Sequence, residues 1–236
     1  MTQPELQPTP AILEATVLVV AKAPVPGFAK TRLTPPLRAA DAAALAAAAL
    51  LDTLAAVRAS RVRHRVVAWT GELALAANAA EIAGALDDFE VIPQRGANFG
   101  DRLANAHADA ARPGLPVLQI GMDTPQAGAE LLTDSAARLL ADGDAALGLA
   151  TDGGWWALGL TNPGAARLLT EVPMSTDRTG ELTRDTLLCN GNRVTELAVL
   201  TDVDHYSDIA PVAAGCTGRF AATAARLAAD LAEANP

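Results

Sequence analysis

The chain has 236 residues, half of them hydrophobic and only 3% aromatic, with a formal net charge of −9 at pH 7. This length suits one large α/β domain or two small ones, with a sizeable core of Leu, Val, Ile and Ala. The acidic balance argues against a protein that coats nucleic acid, whose surface would be basic. It does not exclude a small anionic ligand, because a local basic loop can still bind one.

The cysteines and the terminus indicate a cellular compartment. Cys189 and Cys216 have neither metal-ligand spacing nor a disulfide framework, which suits a reducing cytoplasm. We see no apolar run of the roughly 18 residues that span a bilayer and no signal pattern, so we expect a cytoplasmic protein without a membrane partner. Residues 1–15 are Pro-rich and are expected to form a loose leader, followed by a single domain over residues 16–236.

Strand-like and helix-like segments alternate along the chain. The expected strands are 17–20, 64–70, 89–94, 116–121, 144–150, 155–160 and 194–200. The expected helices are 38–60, 72–85, 100–111, 126–141, 164–170 and 179–188, with two more at the end. Repeated βα units imply an α/β fold with a mostly parallel sheet between two helical layers. Ligands in such folds bind beyond the carboxyl ends of the strands.

A basic loop follows the first predicted strand. Residues 17–20 form a β-branched apolar run, and the next residues carry Lys22, Lys30 and Arg32 between Pro and Gly residues. Cations and backbone N–H groups at the carboxyl edge of a sheet can face a phosphate group. The alternative is an ordinary βα connection with solvated lysines.

A second polar segment, from Gln94 to Arg102, follows the third predicted strand. Gly96 and Gly100 would let the backbone approach a ligand, while amide and guanidinium donors could read a nucleobase or ribose edge. A polar loop with a helix N-cap is an equally good interpretation.

Carboxylates follow two further strands. Asp123 comes directly after the fourth strand, where it could hold Mg²⁺ that bridges nucleotide phosphates. It could instead cap a helix beginning near Gln126. Asp202 and Asp204 alternate after the last strand, so in an extended segment they would point the same way and could complete the metal site. A solvated helix start is the alternative for this pair.

The segment Asp152-Gly153-Gly154 also has two interpretations. Paired glycines allow close approach to a ligand, and Asp-Gly is equally a strong hairpin signal. The following Trp155 and Trp156 are adjacent in a strand and should face opposite sides of the sheet. We find no nucleophile elbow and no P-loop, so neither acyl transfer through a serine nor a P-loop nucleotide site is indicated.

Taken together, these motifs resemble a known family. The run Ala21-Lys22-Ala23-Pro24-Val25-Pro26-Gly27-Phe28-Ala29-Lys30-Thr31-Arg32-Leu33 is similar to the signature of the DUF2064 group, the "rSAM/selenodomain-associated transferase 1" proteins of the GT-A superfamily. The segments at 94–102, 121–125, 152–154 and 202–204 follow in the family's order. The resemblance covers about residues 16–209. Trp155, Thr124 and Met174 depart from the family's usual residues on the presumed acceptor side.

The resemblance implies a nucleotide-diphospho-sugar transferase (GT-A) fold and distant similarity to 2-phospholactate guanylyltransferases. It implies a transferase that uses Mg²⁺ or Mn²⁺ and takes an NTP or nucleotide sugar plus a small-molecule acceptor. Asp123, Asp202 and Asp204 would hold the metal. The implied catalytic residues are Lys30, Arg32, Asp123 and Asp152, and the implied nucleotide-binding residues are Ala21, Lys22, Pro24, Gly27, Lys30, Arg32, Gln94, Gly96, Gly100, Asp101 and Arg102.

The leading hypothesis is nucleotidyl transfer from an NTP to a small phosphorylated or phosphonate-like acceptor. Such catalysis relies on positioning and electrostatics without a protein nucleophile. A glycosyltransferase using a nucleotide-diphospho-sugar is the alternative, and a non-catalytic nucleotide-binding protein is a third. The sequence leaves the nucleobase, the acceptor and a homodimer open.

Overall fold

Seven strands form one sheet in the computed structural model, which describes residues 11–111 and 114–234. The strands are β1 (Leu13–Lys22), β2 (Val62–Thr70), β3 (Glu90–Pro93), β4 (Val117–Gly121), β5 (Ala145–Leu149), β6 (Trp155–Leu160) and β7 (Val194–Glu196). Their order across the sheet is β3-β2-β1-β4-β6-β5-β7. β6 pairs antiparallel with β4 and β5, and the other pairings between these strands are parallel. The predicted mostly parallel sheet is therefore confirmed.

Helices cover both faces of this sheet. They are α1 (Ala39–Ala59), α2 (Ala79–Leu86), α3 (Phe99–Ala110), α4 (Ala129–Asp142), α5 (Thr179–Cys189), α6 (Tyr206–Ala214) and α7 (Arg219–Ala234), with a 3-10 helix at Pro163–Glu171. α1, α2 and α4 share one apolar cluster with the sheet, whereas α3, α5 and the 3-10 helix pack in clusters on the other side. The three-layer α/β/α arrangement follows from this division.

The alanine-rich helix α1 lies between the sheet and an additional outer layer. One side packs on the sheet, and the other packs against α6 and α7. By length and composition α1 could also cross a membrane, with a mean hydropathy of 1.6, yet 67% of that stretch is buried inside the protein. The expectation that the sequence has no such apolar run was wrong. Burial on two sides is the physical reason for an apolar helix without a polar face.

The largest differences between the expected and observed element boundaries occur in three places. The expected helix 72–85 is a 3-10 turn at Leu73–Leu75 followed by α2, because Asn78 between them has a left-handed backbone with φ 56°. The last strand is shorter than expected and contributes only an isolated bridge at Leu200 beyond β7. β1 begins at Leu13, so the end of the expected leader pairs with β2, while residues 1–10 lie outside the described part.

The strand order creates a crevice between β1 and β4. From β1 the chain continues to β2 and β3 on one side of the sheet, and then returns to β4 on the other side of β1. The connections beyond the carboxyl ends of β1 and β4 therefore run in opposite directions. Such a topological switch point is where open α/β sheets bind ligands.

Candidate functional site

A cavity of about 750 Å³ opens at this switch point, within the usual size range of small-molecule sites. The predicted site residues that line it are Ala21, Lys22, Lys30, Arg32, Gln94, Arg102, Asp123, Asp152, Asp202 and Asp204. The remaining predicted residues, Pro24, Gly27, Gly96, Gly100 and Asp101, are absent from the lining. The cavity thus brings together residues separated by more than 180 positions in the chain.

The basic loop after β1 forms one wall. The Lys22 ammonium donates a hydrogen bond to the carbonyl oxygen of Phe28 at 2.6 Å. Pro24 ties the loop to the approach to α2, because its carbonyl accepts from the backbone N–H of Ala77 at 2.9 Å. Gly27 turns the chain with a φ of 80°. Pro24 and Gly27 therefore shape the loop, while Lys22 borders the cavity.

Lys30 lies at the centre of the charged network. Its backbone is left-handed, with φ 52°, which is uncommon for a residue with a side chain and is frequent at functional sites. The ammonium donates to Asp123 and, at 2.9 Å, to Asp204. Burial alone would lower the pKa of Lys30, but the charges of Asp123 and then Asp204 outweigh it and raise the pKa. Lys30 therefore stays protonated.

Arg32 completes this network from the surface side. Its guanidinium donates to the other carboxylate oxygen of Asp204 at 3.0 Å. Burial by itself would raise the pKa of Asp204, but Lys30 and Arg32 hold that pKa below its ordinary value. Asp204 is therefore ionised and held by two cations.

Asp123 does not cap a helix, so that alternative was wrong. α4 begins at Ala129 after Gly128, and no side chain accepts a capping hydrogen bond there. The Asp123 carboxylate instead contacts Lys30, and its carbonyl accepts from the backbone N–H of Val203 at 3.0 Å. The segment after β4 is thereby joined to the segment that carries the last two aspartates.

Three carboxylates gather beside this charged network. Oxygens of Asp152, Asp202 and Asp204 lie within 4.8 Å of one another. Val203 between the last two is buried in the core while both aspartates line the cavity, as expected if the two carboxylates point the same way. Burial, followed by the charge of Asp152, raises the pKa of Asp202 to about 6. One Asp202 oxygen is buried and has no hydrogen-bond partner among the described residues.

These residues fit a divalent cation. Carboxylates this close repel one another, and a buried carboxylate oxygen without a partner is costly unless a ligand satisfies it. Oxygen ligands are those that Mg²⁺ and Mn²⁺ take. The carboxylates that would hold the metal are Asp152, Asp202 and Asp204, so the structure adds Asp152 to the predicted metal ligands and pairs Asp123 with Lys30.

The tip of the β5–β6 hairpin carries Asp152, so the hairpin interpretation is correct, and the same turn places Asp152 at the cavity. The Asp152 carboxylate accepts from the Gly154 N–H at 2.8 Å, which fixes the side chain within its own turn. A Cβ on Gly153, whose φ is +90°, would come within 1.8 Å of the carbonyl oxygen of Asp177. Gly153 is required because the hairpin packs directly on the loop that precedes α5.

Most of the segment 94–102 makes contacts within the protein and does not line the cavity. The Gln94 amide nitrogen donates to the carbonyl oxygens of Ala21 and Ala68, at 2.9 and 3.0 Å, and so joins the ends of β1 and β2. A Cβ on Gly96 would lie 2.8 Å from the backbone nitrogen of Arg102, so the glycine allows close packing within the segment. Gln94 and Arg102 line the cavity from this segment.

Gly100 and Asp101 have local structural roles at the start of α3. A Cβ on Gly100 would lie 2.6 Å from the carbonyl oxygen of Leu169, so the glycine permits close packing on the 3-10 helix. The Asp101 carboxylate accepts from the backbone N–H of Ala97 at 3.2 Å, and Asn98 caps the helix. The N-cap interpretation is therefore correct for this part of the segment.

Several cavity residues were not among the predicted catalytic, nucleotide-binding or metal-binding residues. Phe28, Phe99, Gln119, Thr124 and Ser175 line the cavity. Gln119 is a polar residue inside the apolar strand β4, and this signal could have revealed it. Ser175 has a left-handed backbone with φ 61°, and no sequence pattern indicates that conformation.

Unsatisfied polar atoms are concentrated around the cavity. The lining residues with a buried side-chain nitrogen or oxygen that lacks a hydrogen-bond partner within the described chain are Arg102, Gln119, Thr124, Trp155 and Asp202. Buried polar groups are normally paired. Their concentration here indicates a site adapted to a polar ligand.

A family model covers just over half of the chain. Residues 53–176 match the family described as uncharacterized proteins conserved in bacteria, DUF2064. The chain belongs to the DUF2064 family. No protein with a curated description matches its sequence.

Solved structures share the fold of this DUF2064 protein. A candidate nucleotide-diphospho-sugar transferase from Desulfovibrio desulfuricans G20 is 24% identical, with a TM-score of 0.71 over 82% of this chain and 83% of the other. The manganese complex of Rv0371c from Mycobacterium tuberculosis H37Rv is 18% identical, with a TM-score of 0.51 over 84% and 97%. CMP:2-keto-3-deoxy-manno-octonic acid synthetase complexed with CTP is 12% identical, with a TM-score of 0.50 over 84% and 96%. These likenesses establish the GT-A-like fold that the sequence predicted.

Proposed function

We propose that this DUF2064 protein is a divalent-metal-dependent transferase that transfers a nucleotidyl group from an NTP to a small phosphorylated or phosphonate-like acceptor. One observation carries the proposal. The cationic loop after β1 and the cluster of Asp152, Asp202 and Asp204 face the same cavity at the switch point of the sheet. Anion-binding groups next to metal-binding groups are what a nucleotide triphosphate with its metal requires.

The loop cations and the clustered carboxylates have distinct roles in this proposal. Lys22, Lys30 and Arg32 hold the triphosphate and offset the charge that develops on the leaving pyrophosphate. The three clustered carboxylates hold the metal, which supplies charge neutralisation between phosphate oxygens when bound. The chain's own contribution is positioning, since the cavity lining contains no cysteine, and no hydrogen bond between Ser175 and His205, which both line it, occurs among the described residues.

We expect Gln94 to contact the base. Both hydrogen bonds of its side chain come from the amide nitrogen, and the carbonyl end has no donor among the described residues. A fixed amide whose oxygen is still free accepts from an amino or imino group. We therefore expect Gln94 to favour bases that present an N–H donor at this position.

Glycosyl transfer from a nucleotide-diphospho-sugar is the second candidate. It is supported by the fold similarity to the Desulfovibrio desulfuricans protein, whose description names that class. The Asp202-Val203-Asp204 pattern, with both carboxylates at the cavity and the valine buried, suits either kind of donor. Nucleotidyl transfer is preferred because three loop cations suit a triphosphate better than a diphosphate.

A thermal-shift panel separates these candidates. The four NTPs, their diphosphates and several UDP- and GDP-sugars are tested with and without Mg²⁺, because a ligand of the native state raises the melting temperature. Stabilisation by one NTP that requires Mg²⁺ supports nucleotidyl transfer, and preference for a nucleotide sugar supports the second candidate. Binding without turnover of any acceptor would support a non-catalytic protein. No response to any nucleotide overturns the proposal.

The phosphate-binding role of the loop has its own test. Lys30→Ala should abolish the NTP-induced shift, whereas Arg95→Ala, which removes a guanidinium paired with Asp109 outside the cavity, should leave it unchanged. If Lys30→Ala binds the NTP as well as the wild type does, the loop does not bind the triphosphate.

A further inference from the structure

Arg102 on α3 is a cavity-lining cation that is not engaged by the protein's carboxylates. Its guanidinium lies 5.5 Å from the ring centroid of Phe99, which is a cation–π contact. No ion pair or hydrogen bond of its side chain occurs among the described residues, and its Nε is buried without a partner. Arg102 differs in this respect from Lys30 and Arg32, which already form ion pairs with Asp123 and Asp204.

The wall beside Arg102 differs from the carboxylate wall. Leu103, the next residue on α3, belongs to an apolar cluster against which Trp155 and Met174 also pack. Both of these residues line the cavity, and the indole nitrogen of Trp155 is buried without an acceptor. Asp177 also lines the cavity but makes no ion pair with Arg102. The cavity lining therefore includes apolar surface and two nitrogen donors, one on Arg102 and one on Trp155, that have no partner in the described part of the chain.

An unpaired guanidinium in such a setting is suited to an oxyanion. The planar guanidinium matches a carboxylate or a phosphonate in two parallel hydrogen bonds, and stacking on an aromatic ring holds it in place. Burying a donor without a partner costs free energy, which a bound anion would offset. Phe99, Leu103 and Met174 would cover the apolar body of the same ligand.

We propose that Arg102 and the indole N–H of Trp155 form a second oxyanion subsite, separate from the loop of Lys22, Lys30 and Arg32, and that it binds the anionic group of the acceptor. The inference rests on the proposed function and deepens it. It defines the acceptor as a small organic acid, a carboxylate or phosphonate, with an apolar portion. In the proposed function the loop cations hold the triphosphate, and no hydrogen bond or ion pair joins Arg102 to them among the described residues.

The test uses phosphonoacetate and inorganic phosphate as probes of the acceptor subsite and the NTP panel as the probe of the donor subsite. Affinities are measured by isothermal titration calorimetry on the full chain. Arg102→Met should weaken phosphonoacetate binding about tenfold or more, the loss expected for charge-assisted hydrogen bonds, and should change NTP binding little. Arg32→Met should do the reverse, and Arg95→Met should change neither.

Two milder variants keep the test decisive if Arg102→Met does not fold. Arg102→Lys retains the charge but loses the planar fork, and Trp155→Phe retains the ring but loses the N–H donor. Both should weaken phosphonoacetate binding while leaving NTP binding intact. Unchanged phosphonoacetate binding in both would overturn the inference.

The outcomes for the two proposals are distinguishable. If neither probe binds the wild type while an NTP does, the second subsite is refuted and the proposed function stands. If phosphonoacetate binds through Arg102 but no nucleotide binds, the subsite stands and the proposed function fails. If Arg102→Met weakens NTP binding as much as Arg32→Met does, Arg102 belongs to the donor subsite and the inference is wrong.

Discussion

The Lys30 ammonium lies 2.9 Å from the Asp204 carboxylate, joining the loop after β1 to a segment 174 residues later in the chain. The same ammonium contacts Asp123 after β4. A buried lysine thus neutralises two of the carboxylates at the site. A divalent cation bound by the neighbouring carboxylates would compete with Lys30 for Asp204.

This competition predicts the behaviour of Lys30→Met. In the absence of nucleotide the variant should bind Mn²⁺ severalfold more tightly, because Asp204 is no longer held by the ammonium. Its metal-free form should be less stable by about 1–3 kcal/mol, between the values for exposed and buried pairs, since two partly buried carboxylates lose their counter-charge. Calorimetric Mn²⁺ titration and urea unfolding measure the two effects.

Lys22→Met is the matched control for that variant. It removes the same charge from the same loop without breaking a carboxylate contact, because Lys22 donates to the backbone carbonyl of Phe28. Both its metal affinity and its unfolding free energy should stay close to the wild-type values. Weaker Mn²⁺ binding by Lys30→Met would contradict the competition between the lysine and the metal.

Asp202→Asn should separate metal binding from stability. The substitution removes a partly buried charge beside Asp152, so at pH 7.5 without metal we expect the protein to gain about 1 kcal/mol, a value reduced for solvent screening. Mn²⁺ affinity should fall about tenfold or more. A functional site is expected to keep a residue such as Asp202 even though its charge lowers the stability of the metal-free protein.

Asp177→Asn is the comparison for Asp202→Asn, because Asp177 also lines the cavity but lies outside the carboxylate cluster. It should leave Mn²⁺ binding and the melting temperature nearly unchanged. If both variants lose the metal equally, the cluster is not the metal site.

His107 makes stability depend on pH. It is fully buried on α3, neither ring nitrogen has a hydrogen-bond partner in the described ranges, and burial lowers its pKa to about 3. The unfolded chain binds the proton at about pH 6.5, whereas the native state does not until about pH 3. The unfolding free energy should therefore fall as the pH drops below about 6.5, by up to about 1.4 kcal/mol per pH unit.

Urea unfolding between pH 7.5 and 5 measures this dependence. His107→Leu should flatten the slope, whereas His64→Gln, at a half-exposed imidazole that lies 3.2 Å from Glu90, should retain most of it. An unchanged slope in His107→Leu would show that other groups cause the acid destabilisation.

Asp52 joins α1 to the outer helix α7. Its carboxylate oxygens on α1 accept from the backbone N–H groups of Arg219 and Phe220, at 3.0 and 2.8 Å, and so cap α7. Asp52→Ala should cost about 1–2 kcal/mol and increase amide exchange in the first turn of α7. Gly218→Ala should have a similar effect, because a Cβ there would lie 2.5 Å from an Asp52 oxygen.

Asp41→Ala is the control for this cap. Asp41 is also an aspartate of α1, but it pairs with the exposed guanidinium of Arg38, so its loss should cost less than about 1 kcal/mol. Equal destabilisation by Asp41→Ala and Asp52→Ala would argue against a specific capping role.

Local patterns in the sequence were enough to predict the sheet and much of the site. The expected strand 155–160 coincides with β6, and the two tryptophans at its start face opposite sides as alternation predicts: Trp156 packs in the cluster that α1 and α4 share with the sheet, while Trp155 packs in the cluster of α3 and α5 on the other side. The shared direction of Asp202 and Asp204 on either side of Val203 could also be predicted, because a period-two pattern depends only on neighbouring residues. The basic loop was evident from its charges.

Tertiary structure decided which of these groups meet. Asp152 joins the carboxylate cluster because the β5–β6 hairpin carries it to the segment of Asp202, and no local pattern records that distance. Asp123 contacts Lys30 rather than a helix N-terminus, and the Gln94 amide is used to join two strands. The helices and strands could be predicted from the sequence because they depend on local periodicity. Which charged groups form pairs depends on the strand order, because that order brings residues that are distant in the chain within hydrogen-bonding distance.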